Sequence, residues 1–170
     1  MLSAYLGAAS EFTLIDLCLY DNPIATHTTL SVDDITALAA VVPHAKVTDT
    51  ALGKVSAVRD RTKLILRAGD NPVLWHQLSS GVHGAMVAMP MIYPQATREL
   101  WQHISDGRTE AASDVYARMA RSTHLSLGAP DYVPVIKTVL HHRGVLASPE
   151  VRLPLVELIP PGRGEVIGAL

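Results

Sequence analysis

Four short apolar runs recur along the chain, each followed by a longer segment whose apolar residues fall at helical spacing. The first run, Leu14–Tyr20, ends at Asp21-Asn22-Pro23, a turn-forming stretch. Ser31 then reads as the N-cap of a helix, with Asp33 and Asp34 in its first turn. Ile35, Leu38, Ala39 and Val42 form its apolar stripe, and Pro43 closes it. The second run, Ala45–Asp49, leads into a helix over Leu52–Arg59. The third, Lys63–Arg67, ends at Gly69-Asp70-Asn71-Pro72 ahead of a helix through Trp75 and Leu78. The fourth, Gly84–Met89, stops at Pro90 and is followed by a helix over Gln95–Ser105. Strands alternating with helices at this pitch predict parallel strands joined by helical crossovers, hence an α/β fold.

Beyond the fourth unit the alternation stops. Glu110–Leu127, Val133–His142 and the final segment read as helices with no strand between them, and the proline-punctuated stretch Pro149–Pro161 is expected to wrap the surface. Residues 1–170 form one domain on this reading, with four strand–helix units over 1–108 and a helical extension over 109–170. Four parallel strands leave two unpaired edges and one bare apolar face, since a closed barrel needs about eight strands. Two solutions meet the pattern equally: a small open sheet covered on both sides by its own helices, or a sheet completed from elsewhere.

Composition narrows the partners. Apolar residues make up 48% of the chain and charged residues 18%, which excludes a disordered segment. The net charge of −2, without a Lys/Arg run, argues against nucleic acid and anionic membranes. A single cysteine, Cys18, excludes an internal disulfide, and no signal peptide or membrane span is evident, so a soluble cytoplasmic protein is expected. Cys18 sits in an apolar strand and is expected to be a buried, inert thiol. His141-His142 diverge by about 100° on a helix and make no shared metal site. Gly162-x-Gly164 lacks the strand–turn–helix context of a dinucleotide motif. Neither a metal nor a cofactor is expected.

Tyr20-Asp21-Asn22-Pro23, followed by Thr26 and Leu30, resembles the Tyr-Asn-x-Pro segment ending the fifth barrel strand of the dihydrodipicolinate synthase / N-acetylneuraminate lyase family. Ala68-Gly69-Asp70-Asn71 is similar to that family's Gly-Asp-Asp turn after the seventh strand, and Gly81 through Val87 to the stretch entering the eighth. Lys137 through Val145 and Ser148 through Leu155 resemble its helical C-terminal tail. The resemblance implies half of a (β/α)8 barrel, strands five to eight with their helices, plus C-terminal helices. It also implies that strands one to four lie outside this sequence.

In that family a lysine on the sixth strand condenses with pyruvate or a related 2-oxo acid, which is covalent catalysis through a nucleophilic amine. Counting forward without a gap, the lysine position falls on Thr48, and a hydroxyl cannot form an imine. Ala25 stands where synthases of the family often carry an arginine, so a carboxylate-pairing cation is lost as well. By the same resemblance Tyr20 corresponds to the tyrosine that relays protons and orients the adduct, while Gly69 and Met86 correspond to positions whose backbone lines the keto-acid pocket. The alternative for Tyr20 is simple packing against a neighbour. Strand alternation puts Lys46 on the same face as Thr48, about 7 Å deeper. A desolvated amine there would be nucleophilic, making Lys46 a candidate relocated Schiff-base lysine. The alternative is that it reaches solvent or pairs with a carboxylate.

Three functional expectations follow. The chain joins a complementary N-terminal half-barrel protein and forms a lyase-family enzyme, using Tyr20, Asp49 and partner residues for acid–base chemistry without an imine, with a small 2-oxo acid as the ligand class. Alternatively it is a non-catalytic structural or regulatory subunit of a lyase-family assembly. Thirdly, a second copy of the same chain closes the barrel about a two-fold axis.

Overall fold

The computed structural model describes residues 2–47, 52–126 and 132–170. They fall into two compact units, Met1–Val87 and Ala88–Leu170. The first unit carries the sheet. It runs α1 (Leu2–Glu11), β1 (Cys18–Asp21), α2 (Pro23–Thr26), α3 (Val32–Leu38), β2 (His44–Val47), α4 (Leu52–Arg61), β3 (Ile65–Ala68) and α5 (Leu74–Ser79). The three strands pair in the order β1-β2-β3, all parallel. Parallel neighbours require a crossover, and α2 and α3 supply the first while α4 supplies the second.

Local signals account for these elements. Ser31 caps α3 with a capping box: its Oγ accepts from Asp34 N at 3.0 Å, and Asp34 Oδ2 accepts from Ser31 N at 2.8 Å. Pro23 sits in the first turn of α2, where its missing N–H costs nothing, and Asn22 caps it. Ile35 and Leu38 of α3, with Val42 just beyond it, are buried, as their spacing predicts.

The register places Cys18, His44 and Ile65 in one row, followed by Leu19-Ala45-Leu66, Tyr20-Lys46-Arg67 and Asp21-Val47-Ala68. Alternate rows face opposite sides. Leu19, Asp21, Ala45, Val47, Leu66 and Ala68 are all buried, and α4 and α5 engage this side through Lys54 and Gln77. On the other side Cys18, Tyr20 and Ile65 are exposed, and His44 and Arg67 are partly so. The sheet therefore has one covered face and one open face.

Several expectations are corrected here. The fourth run forms no strand among the described residues. It contributes one bridge, Ala68 to Ala85, with Ala68 N donating to Gly84 O and Met86 N donating to Ala68 O. Helix α6 (Met89–Ile92) starts at once, carrying Pro90 in its first turn, and leaves no length for a ladder. Leu14 and Ile15 are exposed and lie outside β1. Thr13 Oγ1 accepts from Ile15 N at 3.1 Å, a local side-chain bond that diverts the backbone from pairing. Cys18 is exposed, because its row belongs to the open face. That face is also polar rather than apolar, carrying Tyr20, His44 and Arg67.

The second unit is helical: α6, α7 (Pro94–Ser105), α8 (Thr109–Ser126), α9 (Tyr132–His142) and α10 (Pro160–Gly168). Gly107, at φ 71°, makes the left-handed turn between α7 and α8. Leu100 of α7 and Val115 and Met119 of α8 are buried, as are Val135 and Val139 of α9. The Arg143 guanidinium donates to the Ile92 carbonyl and ties the end of α9 to α6. Gly162 and Gly164 lie within α10, and no helix among the described residues is long and apolar enough to cross a membrane.

Candidate active site

The C-terminal ends of the parallel strands are where α/β barrels build sites. Here Asp21 ends β1, Val47 ends β2 and Ala68 ends β3, with Ala85 bridged to Ala68. The residues that follow the last two, Gly69 and Met86, therefore sit side by side at this edge. Thr48 and Asp49 follow Val47 in sequence and lie outside the described residues.

The Tyr20–Pro23 segment divides its work between the faces. Tyr20 lies on the open face, 49% exposed, and its hydroxyl accepts from Asn22 Nδ2 at 3.1 Å. Asn22 Oδ1 in turn accepts from Ala25 N at 3.4 Å. One asparagine thus caps α2 and orients the tyrosine. Asp21 points the other way and is 2% exposed. Its Oδ2 accepts from Lys54 Nζ at 2.6 Å and its Oδ1 from Leu30 N at 3.3 Å. With both side chains almost dry, the ion pair holds the end of β1 to α4.

Gly69 is held by its neighbours as well. Gly69 N and Asp70 N both donate to Gln77 Oε1, at 3.1 and 3.2 Å, while Gln77 Nε2 donates to Val47 O at 3.2 Å. A fully buried amide from α5 thereby fastens the ends of β2 and β3. The Gly69 N–H is directed to Gln77. Met86 donates its N–H to Ala68 O and exposes its side chain.

Lys46 occupies the register position between Tyr20 and Arg67. Arg67 was not singled out from the sequence. Its Nη1 lies 3.5 Å from His44 Nδ1, and His44 Nε2 lies 3.2 Å from Asp16 Oδ2. Lys54 and Gln77 were also missed. Both interrupt apolar helical stripes, Lys54 beside Val55 and Val58 and Gln77 between Leu74 and Leu78, and a polar residue on such a stripe must find a buried partner.

The Dihydrodipicolinate synthetase family model matches residues 2–168. The chain belongs to the dihydrodipicolinate synthetase family. Among curated relatives, the 4-hydroxy-tetrahydrodipicolinate synthase of Corynebacterium diphtheriae is 28% identical over 167 residues, covering 95% of this chain and 53% of the relative. That of Shewanella piezotolerans is 27% identical, covering 99% and 59%. The chain spans about half the length of the curated relatives it matches. In backbone it is similar to the dihydrodipicolinate synthase of Aquifex aeolicus, with a TM-score of 0.89 at 19% identity over 98% of this chain and 58% of that one. The family's synthases are (β/α)8 barrels, and the three-stranded parallel sheet with its crossovers agrees with part of one.

Proposed function

We propose that this chain supplies the C-terminal part, from the fifth strand onward, of a dihydrodipicolinate synthetase-type barrel and acts once complementary strands close its open face. The single observation behind this is the sheet's asymmetry. Its helix-covered face is packed, whereas the face bearing Tyr20 and Arg67 is open and the β1 edge pairs with no other strand among the described residues. Unpaired edges and wet inner faces are what association removes. Cys18, exposed on that face, reports on closure. Alkylation of Cys18 should be fast in the isolated chain and strongly slowed in intact source cells. Equal rates in both would overturn the proposal.

The chemistry is that of a lyase-family member altered at its centre. Thr48 at the lysine position offers no amine, so the closed site works on a small 2-oxo acid through Tyr20, Asp49 and groups from the complementary half, or through Lys46 as a replacement amine. Borohydride reduction with pyruvate separates these. Added mass on the Lys46 peptide of the assembled protein assigns the imine to Lys46, and an unmodified peptide leaves the non-imine route. The alternative is a non-catalytic subunit, favoured by the way Lys54 and Gln77 hold the scaffold while the amine is absent from position 48. Turnover of no 2-oxo acid by the intact assembly, with Tyr20→Phe leaving its properties unchanged, would establish that alternative.

A further inference from the structure

Strand β3 has β2 along one edge, and Leu66 and Ala68 turn their backbone groups to the other. Four bonds satisfy that outer edge. Ala68 behaves as in a parallel ladder, its N–H donating to Gly84 O and its carbonyl accepting from Met86 N, both at 2.9 Å. Leu66 departs from the ladder. Its carbonyl accepts from His83 N at 2.8 Å, and its N–H donates to a side-chain atom, His83 Nδ1, at 3.1 Å. From Leu66 to Ala68 the strand advances two residues, while the donors facing it advance three, from His83 N to Met86 N. This offset is a bulge, and at the bulge the imidazole takes the place of a strand carbonyl.

An imidazole nitrogen accepts only while it carries no proton, so this bond requires a neutral ring with its hydrogen on Nε2. Protonation puts an N–H on Nδ1, and two donors then face each other. Leu66 is buried, so its N–H has no ready substitute and the bond's contribution is lost. His83 is exposed, so protons reach it from solvent. From α4 the Arg59 guanidinium lies beside Gly81, donates to Ser80 O and pairs with Asp60. From β3 Arg67 lies against His44. The other titratable groups nearby are His76 of α5, Lys63 before β3 and Asp70 after it. We propose that His83 is a proton-controlled latch. Its neutral ring closes the outer edge of β3 at Leu66 and sets the start of the Gly84–Met86 segment, which carries one edge of the candidate site. Protonation releases that end while the bonds to Ala68 remain. The latch is independent of the barrel reading.

Nuclear magnetic resonance on the full chain tests it, following the His83 ring nitrogens and the backbone amide exchange of Leu66 and Ala68 across one pH series. The neutral ring should show its hydrogen on Nε2. As the ring protonates, Leu66 exchange, corrected for its intrinsic pH dependence, should quicken about tenfold, the loss of one ordinary hydrogen bond, while Ala68 stays protected. His83→Asn retains an acceptor that does not titrate there, so Leu66 should stay protected throughout the series. His83→Leu has no acceptor and should leave Leu66 fast at every pH. Should that variant fail to fold, the wild-type titration and His83→Asn still decide. A neutral ring with its hydrogen on Nδ1, Leu66 protection that ignores the ring's titration, or the same loss in His83→Asn would overturn the latch. So would Leu66 and Ala68 opening together, which would mark a general loosening of the sheet edge.

Discussion

Polar side chains buried at the strand ends set the geometry of the candidate site. Lys54 and Asp21 form a nearly dry ion pair, and removing one partner takes a close opposite charge from the other. Lys54→Met should therefore cost about 3–5 kcal/mol in chemical denaturation. The double variant Asp21→Leu with Lys54→Met should recover most of that loss, and failure to recover would show that the pair does more than satisfy itself. Gln77→Leu removes the acceptor for Gly69 N and Asp70 N and the donor for Val47 O. About 2 kcal/mol is expected, since water reaches part of the turn, together with faster amide exchange at Gly69 and Asp70. Ser31→Ala should cost about 1 kcal/mol as a lost N-cap.

The same cap carries a pH signature. Hydrogen bonds from the Ser31 side chain and then its backbone N–H hold the Asp34 carboxyl below its ordinary value. A depressed folded pKa stabilises the fold above the unfolded value of about 4 and loses that contribution as pH falls through the folded pKa. The stability difference between wild type and Ser31→Ala should thus be full at neutral pH and shrink in acid. A difference independent of pH would mean that the carboxylate contributes nothing.

Elements differ in how completely they are used. Helix α1 buries none of its residues, and Phe12, Leu14 and Ile15 after it are exposed. Strand β2 has a hydrogen-bonded neighbour on each side, whereas β1 has one among the described residues. Hydrogen exchange in the isolated chain should accordingly be fast across 2–17, intermediate in β1 and slowest in β2. Uniform protection over α1 and β2 would contradict this order. Most elements were legible from periodicity and turn chemistry: the α3 cap, a helix through Trp75 and Leu78 and the α8–α9 pair emerge close to where Ser31, the apolar stripes and the breakers put them. The fourth strand was not, because a six-residue apolar run has no period that distinguishes a ladder from a single bridge running into a proline-started helix.

For the whole molecule, one side of the sheet is finished and the other is not. An apolar dye should bind the isolated chain through Tyr5, Phe12, Leu14 and Ile15, exposed on and just after α1, and be released if the proposed assembly covers that segment. Retention of the dye by the closed assembly would place the binding surface elsewhere.

The sequence alone determined the α/β class, the family and the positions of Tyr20, Gly69 and Met86 along the chain, because apolar period, turn residues and motif spacing are local properties. Tertiary structure alone decided that Cys18 is exposed, that Asp21 and Gln77 are buried, that the open face is polar, and that Arg67 shares a row with Tyr20. Each of these depends on which face of a strand meets a helix and which meets water, and that is fixed by segments distant in sequence coming together.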